Sequence, residues 1–239
     1  NDPTSDLPQE TVTLTDIELI RKYDKYTFPI GVTKDREPVT FEINKDDFPT
    51  NILISGAPGA GKTVMTEQIL RKAEIEGIPV LKWNISTGPI SAVTEGERKN
   101  FNIELEKIFS GEHEVTQPTI VIIDSLEHYL ALPWDSDNYH QVKNWQDNIS
   151  ELGKLLRLSR SKNVIFVMTA AQRQTHYYLE MIASFITTNI VGHLDTVSST
   201  LVLGTNEAVK LKNGNFIIKT GKEAKVIKAY HPAMKSDWI

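Results

Sequence analysis

The sequence predicts an α/β fold: a mostly parallel sheet, helices on both of its faces, and a C-terminal hairpin. Three observations carry this. Short apolar runs of strand length, among them "NILIS", "TIVII" and "NVIFVMTA", alternate with longer stretches of helical periodicity. That is the pattern of parallel strands joined by crossover helices. A glycine-rich segment, "GAPGAGKT", joins one such strand to one such helix, and a second apolar run, "TIVIID", ends in Asp124.

Taken in order, the first fifteen residues are polar with two prolines and read as a loose lead-in. "TDIELIRKYD" is a short helix capped by Thr15 or Asp16. "EPVTFEIN" alternates apolar and polar residues, as a half-buried strand does. "NILIS" is a short apolar strand, and helix-forming sequence runs from Thr63 to about Glu76. Gly77 and Pro79 then break the chain before the strand "VLKWNI". "ERKNFNIELEKIF" is amphipathic, and "TIVII" is the next buried strand. Between Asn138 and Arg160, apolar residues at Val142, Trp145, Ile149, Leu152, Leu155 and Leu156 fall on one helical face. "NVIFVMTA" is another buried strand, followed by a helix around "HYYLEMIASF" and a strand "TTNIVGHL". "GNFIIK" and "AKVIKAYH" form a hairpin with "TGKE" as its turn. The expected division is a lead-in with a short helix, residues 1–27, and one domain, residues 28–239, with no internal repeat.

With 239 residues, 40% of them hydrophobic and 24% charged, the chain can bury one sizeable core. No apolar run approaches the ~18 residues that span a bilayer. The absence of cysteine excludes disulfides and thiolate metal sites and fits a reducing cytosol. The first residue is Asn1 and no signal peptide is visible, so the chain reads as a module excised from something longer. The net charge of −5 argues against a surface given over to nucleic acid. From Thr205 onward, seven lysines face three acidic residues, which reads as a solvated basic edge.

"GAPGAGKT", Gly56 to Thr63, fits the phosphate-loop pattern G-x-x-x-x-G-K-[ST] in full. Gly56, Gly59 and Gly61 let the backbone turn tightly through Ala57, Pro58 and Ala60, so that successive N–H groups of the loop point at phosphate oxygens. The helix starting near Thr63 and Val64 adds its positive end. Lys62 is placed for the β- and γ-phosphates of a nucleotide and the Thr63 hydroxyl for Mg²⁺. Asp124, at the end of its strand, is the second expected Mg²⁺ partner. The residue after it is Ser125, where a hydrolase usually places a glutamate to polarise water; a hydroxyl is a far weaker base. Glu127 is the nearest replacement, about 6.6 Å further along an extended chain; the alternative is a solvated residue in the first turn of a helix. Gln172, at the end of the next strand in "MTAAQRQ", is a candidate contact for the γ-phosphate or its attacking water. Arg173 beside it is a candidate phosphate sensor or a contact to a neighbouring subunit. The alternative for both is a polar loop start.

"FPIGVTKDREPVTFEINKDDFPTNILISGAPGAGKT" and "LGKLLRLSRSKNVIFVMTAAQR" resemble the lead-in, phosphate loop and "ATQRP" segment of FtsK/SpoIIIE-type translocase motors. The resemblance covers about residues 28–232 and is nearest to the ATPase modules of the type VII secretion protein EssC/EccC. It implies a RecA-like P-loop NTPase fold, MgATP binding and ring-type assembly, with a homo-hexamer in the full protein. It also implies neighbouring ATPase modules in the same parent chain, secreted helical proteins as substrates, and a cytoplasmic domain of a membrane-anchored parent. The departures are Ser125 for the glutamate, Ala171 for a threonine and Gln174 for a proline. They leave the phosphate loop whole and the hydrolytic side eroded. A DNA translocase of the same fold would be expected to keep the Asp-Glu pair. A third possibility is a docking module with a relic loop, in which Tyr177, Tyr178 and Met181 would form an adaptable contact for a helical secretion signal; the alternative is that these three are core.

Overall fold

The computed structural model describes residues 4–43, 51–84, 95–110, 117–130, 139–171 and 181–232. Its strands are β1 (Val12–Leu14), β2 (Thr27–Val32), β3 (Pro38–Glu42), β4 (Ile52–Gly56), β5 (Val80–Asn84), β6 (Thr119–Asp124), β7 (Val164–Ala171), β8 (Thr188–Val191), β9 (Asn215–Thr220) and β10 (Glu223–Pro232). Its helices are α1 (Asp16–Lys22), α2 (Lys62–Ile75), α3 (Glu95–Ser110), α4 (Leu126–Tyr129), α5 (Tyr139–Leu158) and α6 (Thr196–Leu203).

All the strands join one sheet in the order β3-β2-β10-β9-β8-β4-β7-β6-β5, with β1 pairing β10 beside that path. "NILIS" and "TIVII" are therefore in the same sheet, as expected. The sheet is parallel over its five strands β8, β4, β7, β6 and β5. It is antiparallel from β8 through β9, β10, β2 and β3. The expectation of a mostly parallel sheet thus describes one half. The reason is the length of the connections: a hairpin such as β9–β10 reverses the chain in a few residues, whereas a parallel neighbour needs a crossover helix.

Apolar residues cover both faces. On one face Phe101, Leu105, Ile149, Leu152 and Leu156 of α3 and α5 pack on Val121, Ile123, Val164 and Phe166. On the other, Met65, Ile69 and Ala73 of α2 pack on Ile52, Ile54, Ile120, Ile122 and Val167. Central strands buried from both sides are apolar throughout, which is why they read as continuous runs.

Three elements depart from the sequence reading. Val12–Leu14, expected in a loose lead-in, pairs parallel with β10. "TFPIGV" forms β2, with a bulge where Pro29 interrupts its pairing with β3; proline supplies no ladder N–H there. Thr196–Leu203 forms α6, capped by Asp195, whose carboxylate accepts from Ser198 N at 2.8 Å. Half of the helix expected around "HYYLEMIASF" lies outside the described residues; Met181 and Ile182 are helical and Ala183–Phe185 is a 3₁₀ turn.

The short helix α1 has the expected Thr15 cap, reinforced by a capping box with Glu18. It is fastened to α2 by two basic residues. Arg71 bonds Asp16 and the Leu14 carbonyl, and the fully buried Lys72 donates to Leu19 O at 2.9 Å, to Tyr23 O at 3.3 Å and to Glu76 at 2.5 Å. Lys72 thus satisfies carbonyls at the C-terminal end of α1, which that helix leaves without intrahelical partners.

Candidate nucleotide site

The order of the sheet brings the carboxyl ends of β4, β7 and β6 together, with β8 on the far side of β4. Ligands of open α/β sheets bind in such a crevice, where successive connections leave in opposite directions. The loop Gly56–Gly61 opens from β4, and α2 begins at Lys62. Gly59 and Gly61 have φ of +79° and +102°. A Cβ in that left-handed region is strained, so the loop's two sharp turns need glycine. Gly61 gives α2 no side-chain cap, and the first turn of α2 has no acidic residue. The positive end of the helix is therefore left uncovered for an anion.

The loop spends some of its amides on itself. Ala57 N donates to His193 O at 2.8 Å and Ala60 N to Ala57 O at 3.1 Å, and Pro58 has no N–H. The amides that remain for phosphate belong to Gly59, Gly61 and the first residues of α2: Lys62, Thr63 and Val64. Lys62 Nζ donates to Gly56 O at 2.8 Å and Ala57 O at 3.1 Å. Burial depresses its pKa, while the charges of Glu127 and Asp124 act in the opposite direction. Those two carboxylates are thus within electrostatic reach of the amine.

Asp124 ends β6, and the Thr169 hydroxyl of β7 donates to its Oδ1 at 2.8 Å. Ser125 N donates to the same hydroxyl at 2.7 Å. Thr169, which the sequence reading did not single out, therefore holds both the carboxylate and the chain leaving it. Its signal was positional: with Ile123 opposite Met168, Asp124 falls opposite Thr169. Thr63 is exposed on the first turn of α2 and Asp124 is half-buried. A hydroxyl and a carboxylate are the sparse oxygen set that suits Mg²⁺, which keeps several waters and takes its other ligands from phosphates. No group of three or more metal-ligating side chains occurs among the described residues.

Ser125 has φ of +76° and starts α4. This local turn replaces the extended geometry assumed from sequence. It swings Glu127 back so that Ser125 Oγ donates to Glu127 Oε2 at 2.9 Å. Ala171 N donates to the other carboxylate oxygen, and His128 Nδ1 lies against Ser125 Oγ. Glu127 is 3% exposed and so is not a solvated first-turn residue. Burial lowers the pKa of His128, against the pull of Glu127 and Asp124, which favours neutral imidazole. The relay then runs from His128 Nδ1–H to Ser125 Oγ and from its hydroxyl to Glu127. The carboxylate sits on the hydroxyl, so this is not the arrangement of a nucleophilic triad, in which the imidazole lies between them.

Gln172, Arg173, Gln174, Tyr177 and Tyr178 lie outside the described residues. Met181 is 48% exposed. No helix among the described residues is long and apolar enough to cross a membrane.

Several solved structures share the fold. The TcpA conjugation coupling protein of pCW3, solved as a monomer with ATPgS, superposes with a TM-score of 0.70 at 20% identity, over 95% of this chain and 71% of that one. The cytoplasmic domain of the Thermomonospora curvata type VII secretion ATPase EccC gives 0.63 at 17% identity, over 92% of this chain and 30% of that one. ATPases 2 and 3 of the same EccC, in complex with a signal sequence peptide, give 0.65 at 13% identity, over 87% and 41%. The chain therefore spans less than half of either EccC structure. No curated protein matches it in sequence. A sequence model of the ATPase family associated with various cellular activities matches residues 52–190, which run from β4 and its phosphate loop to β8. That is more than half of the chain, and the protein belongs to the ATPase family associated with various cellular activities (AAA).

Proposed function

We propose that the chain is an ATP-binding module of a ring-type translocase motor, of the kind that drives type VII protein secretion, and that its hydrolytic side is eroded. One observation carries the reading. A complete phosphate loop and an Asp124 held by Thr169 stand beside Ser125, where a general base is expected, while the nearest other carboxylate, Glu127, has hydrogen bonds to both oxygens. Loop amides, the N-terminal end of α2 and Lys62 bind the phosphates of ATP; Thr63 and Asp124 hold Mg²⁺. The ion, when bound, neutralises phosphate charge. Gln172 orients the attacking water or the γ-phosphate. Neighbouring ATPase modules of the parent chain complete the site, and residues 28–239 form the ATPase domain behind a lead-in of residues 1–27. The parent is membrane-anchored with this module on the cytoplasmic side, and the cargo is a small helical secreted protein.

The likeness to a conjugation coupling protein favours a second reading, a DNA motor of the same fold. Titration calorimetry with MgATP on the wild type and on Lys62→Ala tests the first part: the wild type binds and the variant binds more weakly. No heat from the wild type at millimolar MgATP would leave a docking module with a relic loop.

A further inference from the structure

The chain leaving β6 carries a hydroxyl whose proton is already directed at a carboxylate. Asp124, Ser125 and His128 are half-buried at this end of the sheet, and Glu127 behind them is buried. Ser125 Oγ donates to Glu127 Oε2 at 2.9 Å. With the imidazole neutral, His128 Nδ1–H donates to the same Oγ. A hydroxyl oxygen has one proton to give and two lone pairs. The proton goes to the carboxylate, one lone pair takes the imidazole N–H, and the second lone pair is left for an electrophile.

The arrangement is held from both sides. Ala171 N donates to the other oxygen of Glu127. Ser125 N donates to the Thr169 hydroxyl, which itself donates to Asp124. The pair also faces the phosphate loop. β6 lies beside β7, and β7 beside β4, whose carboxyl end opens into the loop. The charges of Glu127 and Asp124 act on the amine of Lys62. A hydroxyl within hydrogen-bond distance of a carboxylate is the arrangement by which a general base activates an oxygen nucleophile. Protein kinases pair the same two groups: an aspartate accepts the proton of the hydroxyl that receives the γ-phosphoryl group. Here acceptor and base belong to one chain, directly after Asp124.

We propose that Ser125 is itself the acceptor of the γ-phosphoryl group of ATP, so that the chain phosphorylates itself once instead of turning ATP over; this rests on the reading of the loop as an ATP site. Ser125 Oγ forms a bond to the γ-phosphorus. The bond from that phosphorus to the β–γ bridging oxygen breaks, and ADP leaves with the electron pair. The hydroxyl proton passes to Glu127 Oε2. The products are ADP and a phosphate ester on Ser125. Because the transfer consumes the nucleophile, it stops at one phosphate per chain.

The experiment incubates the whole chain with MgATP radiolabelled at the γ-phosphate, denatures it, and locates the phosphate by mass spectrometry of its peptides. Calorimetry with MgATP on the same proteins supplies a binding arm. The wild type should retain label approaching one phosphate per chain, on Ser125. Ser125→Ala should bind MgATP as the wild type does and take no label. Should Ser125→Ala fail to fold, Ser125→Gly, which suits the positive φ, carries the same expectation. Glu127→Gln should bind MgATP but label about a hundredfold more slowly, the lower end of what a general base contributes. MgATP binding by the wild type without label on the chain overturns the inference. Label on another residue, or labelling of Glu127→Gln at the wild-type rate, also overturns it. If the wild type does not bind MgATP at all, the ATP-site reading itself fails and the transfer falls with it.

Discussion

In the proposed reading, Ser125 is the residue on which hydrolysis turns. Its positive φ and its hydroxyl together pull Glu127 into a buried, doubly bonded position beside Ala171. Replacing it with Glu restores the carboxylate that a hydrolase places after the metal aspartate. Ser125→Glu is expected to raise turnover in an assembled ring, measured as phosphate release. If instead the wild-type chain turns over at several per second, and loses this in Glu127→Gln, then Glu127 is the base. Lys62→Ala removes a charge-assisted contact to phosphate worth about 1.5–3 kcal/mol, so MgATP affinity should fall roughly ten- to hundredfold in calorimetry. His128 makes a pH prediction. Burial holds its folded-state pKa below the ordinary 6.5. Between those two values the unfolded chain binds more protons, so stability is lost as pH falls below 6.5. Melting temperatures taken from pH 7.5 to 5.5 should drop less steeply for His128→Asn than for the wild type.

At the scale of elements, Asn51 ties the entry of the phosphate-loop strand to its surroundings. Its amide donates to Ser159 Oγ at 3.2 Å and Phe185 O at 3.1 Å and accepts from Phe166 N at 3.1 Å. β4, β7, the end of α5 and the turn before β8 thus meet at one buried side chain. Asn51→Ala takes the side-chain partner from Phe166 N and Phe185 O, while Ser159 Oγ keeps its bond to Leu156 O, at a cost of about 1–3 kcal/mol for each unsatisfied group. The melting temperature should fall by about 4 °C or more, and a fall of under 1 °C would show that the junction does not hold. The helices and central strands were legible because burial imposes a period. Ile149, Leu152 and Leu156 of α5 are buried as their spacing requires. β1 and β2 were not legible. β1 is three residues long, and it is strand because β10 offers it an edge; β2 contains a proline and a glycine that argue against a strand locally.

For the whole molecule, the proposed motor reading is tested by what the chain binds. The net charge of −5 favours protein over duplex DNA. Binding to DNA by phosphate neutralisation weakens steeply with salt. A shift assay at about 50 mM and 200 mM salt should show no duplex binding at micromolar protein, beside a pull-down that captures a small helical secreted protein. Salt-sensitive micromolar DNA binding without protein capture would favour the DNA motor. The isolated chain should hydrolyse ATP close to background, because an arginine supplied from a neighbour can be worth 10³–10⁵ in rate. Two of its own arginines are committed elsewhere, Arg36 to Glu10 and Arg71 to Asp16.

The sequence by itself determined the α/β class, the phosphate loop, the strand ending in Asp124 and the hairpin at the end. Each of these is written in residues close together in the chain, where periodicity, glycine placement and turn chemistry act locally. Tertiary structure alone decided the partners of those residues. Thr169 reaches Asp124 from 45 positions away, Ala171 holds Glu127 from 44 away, and β8 and β9 bring Val191 level with Ile217. It also decided that the sheet is only half parallel. Strand order and register follow from which faces can be buried together, and that is a property of the packed chain rather than of any window along it.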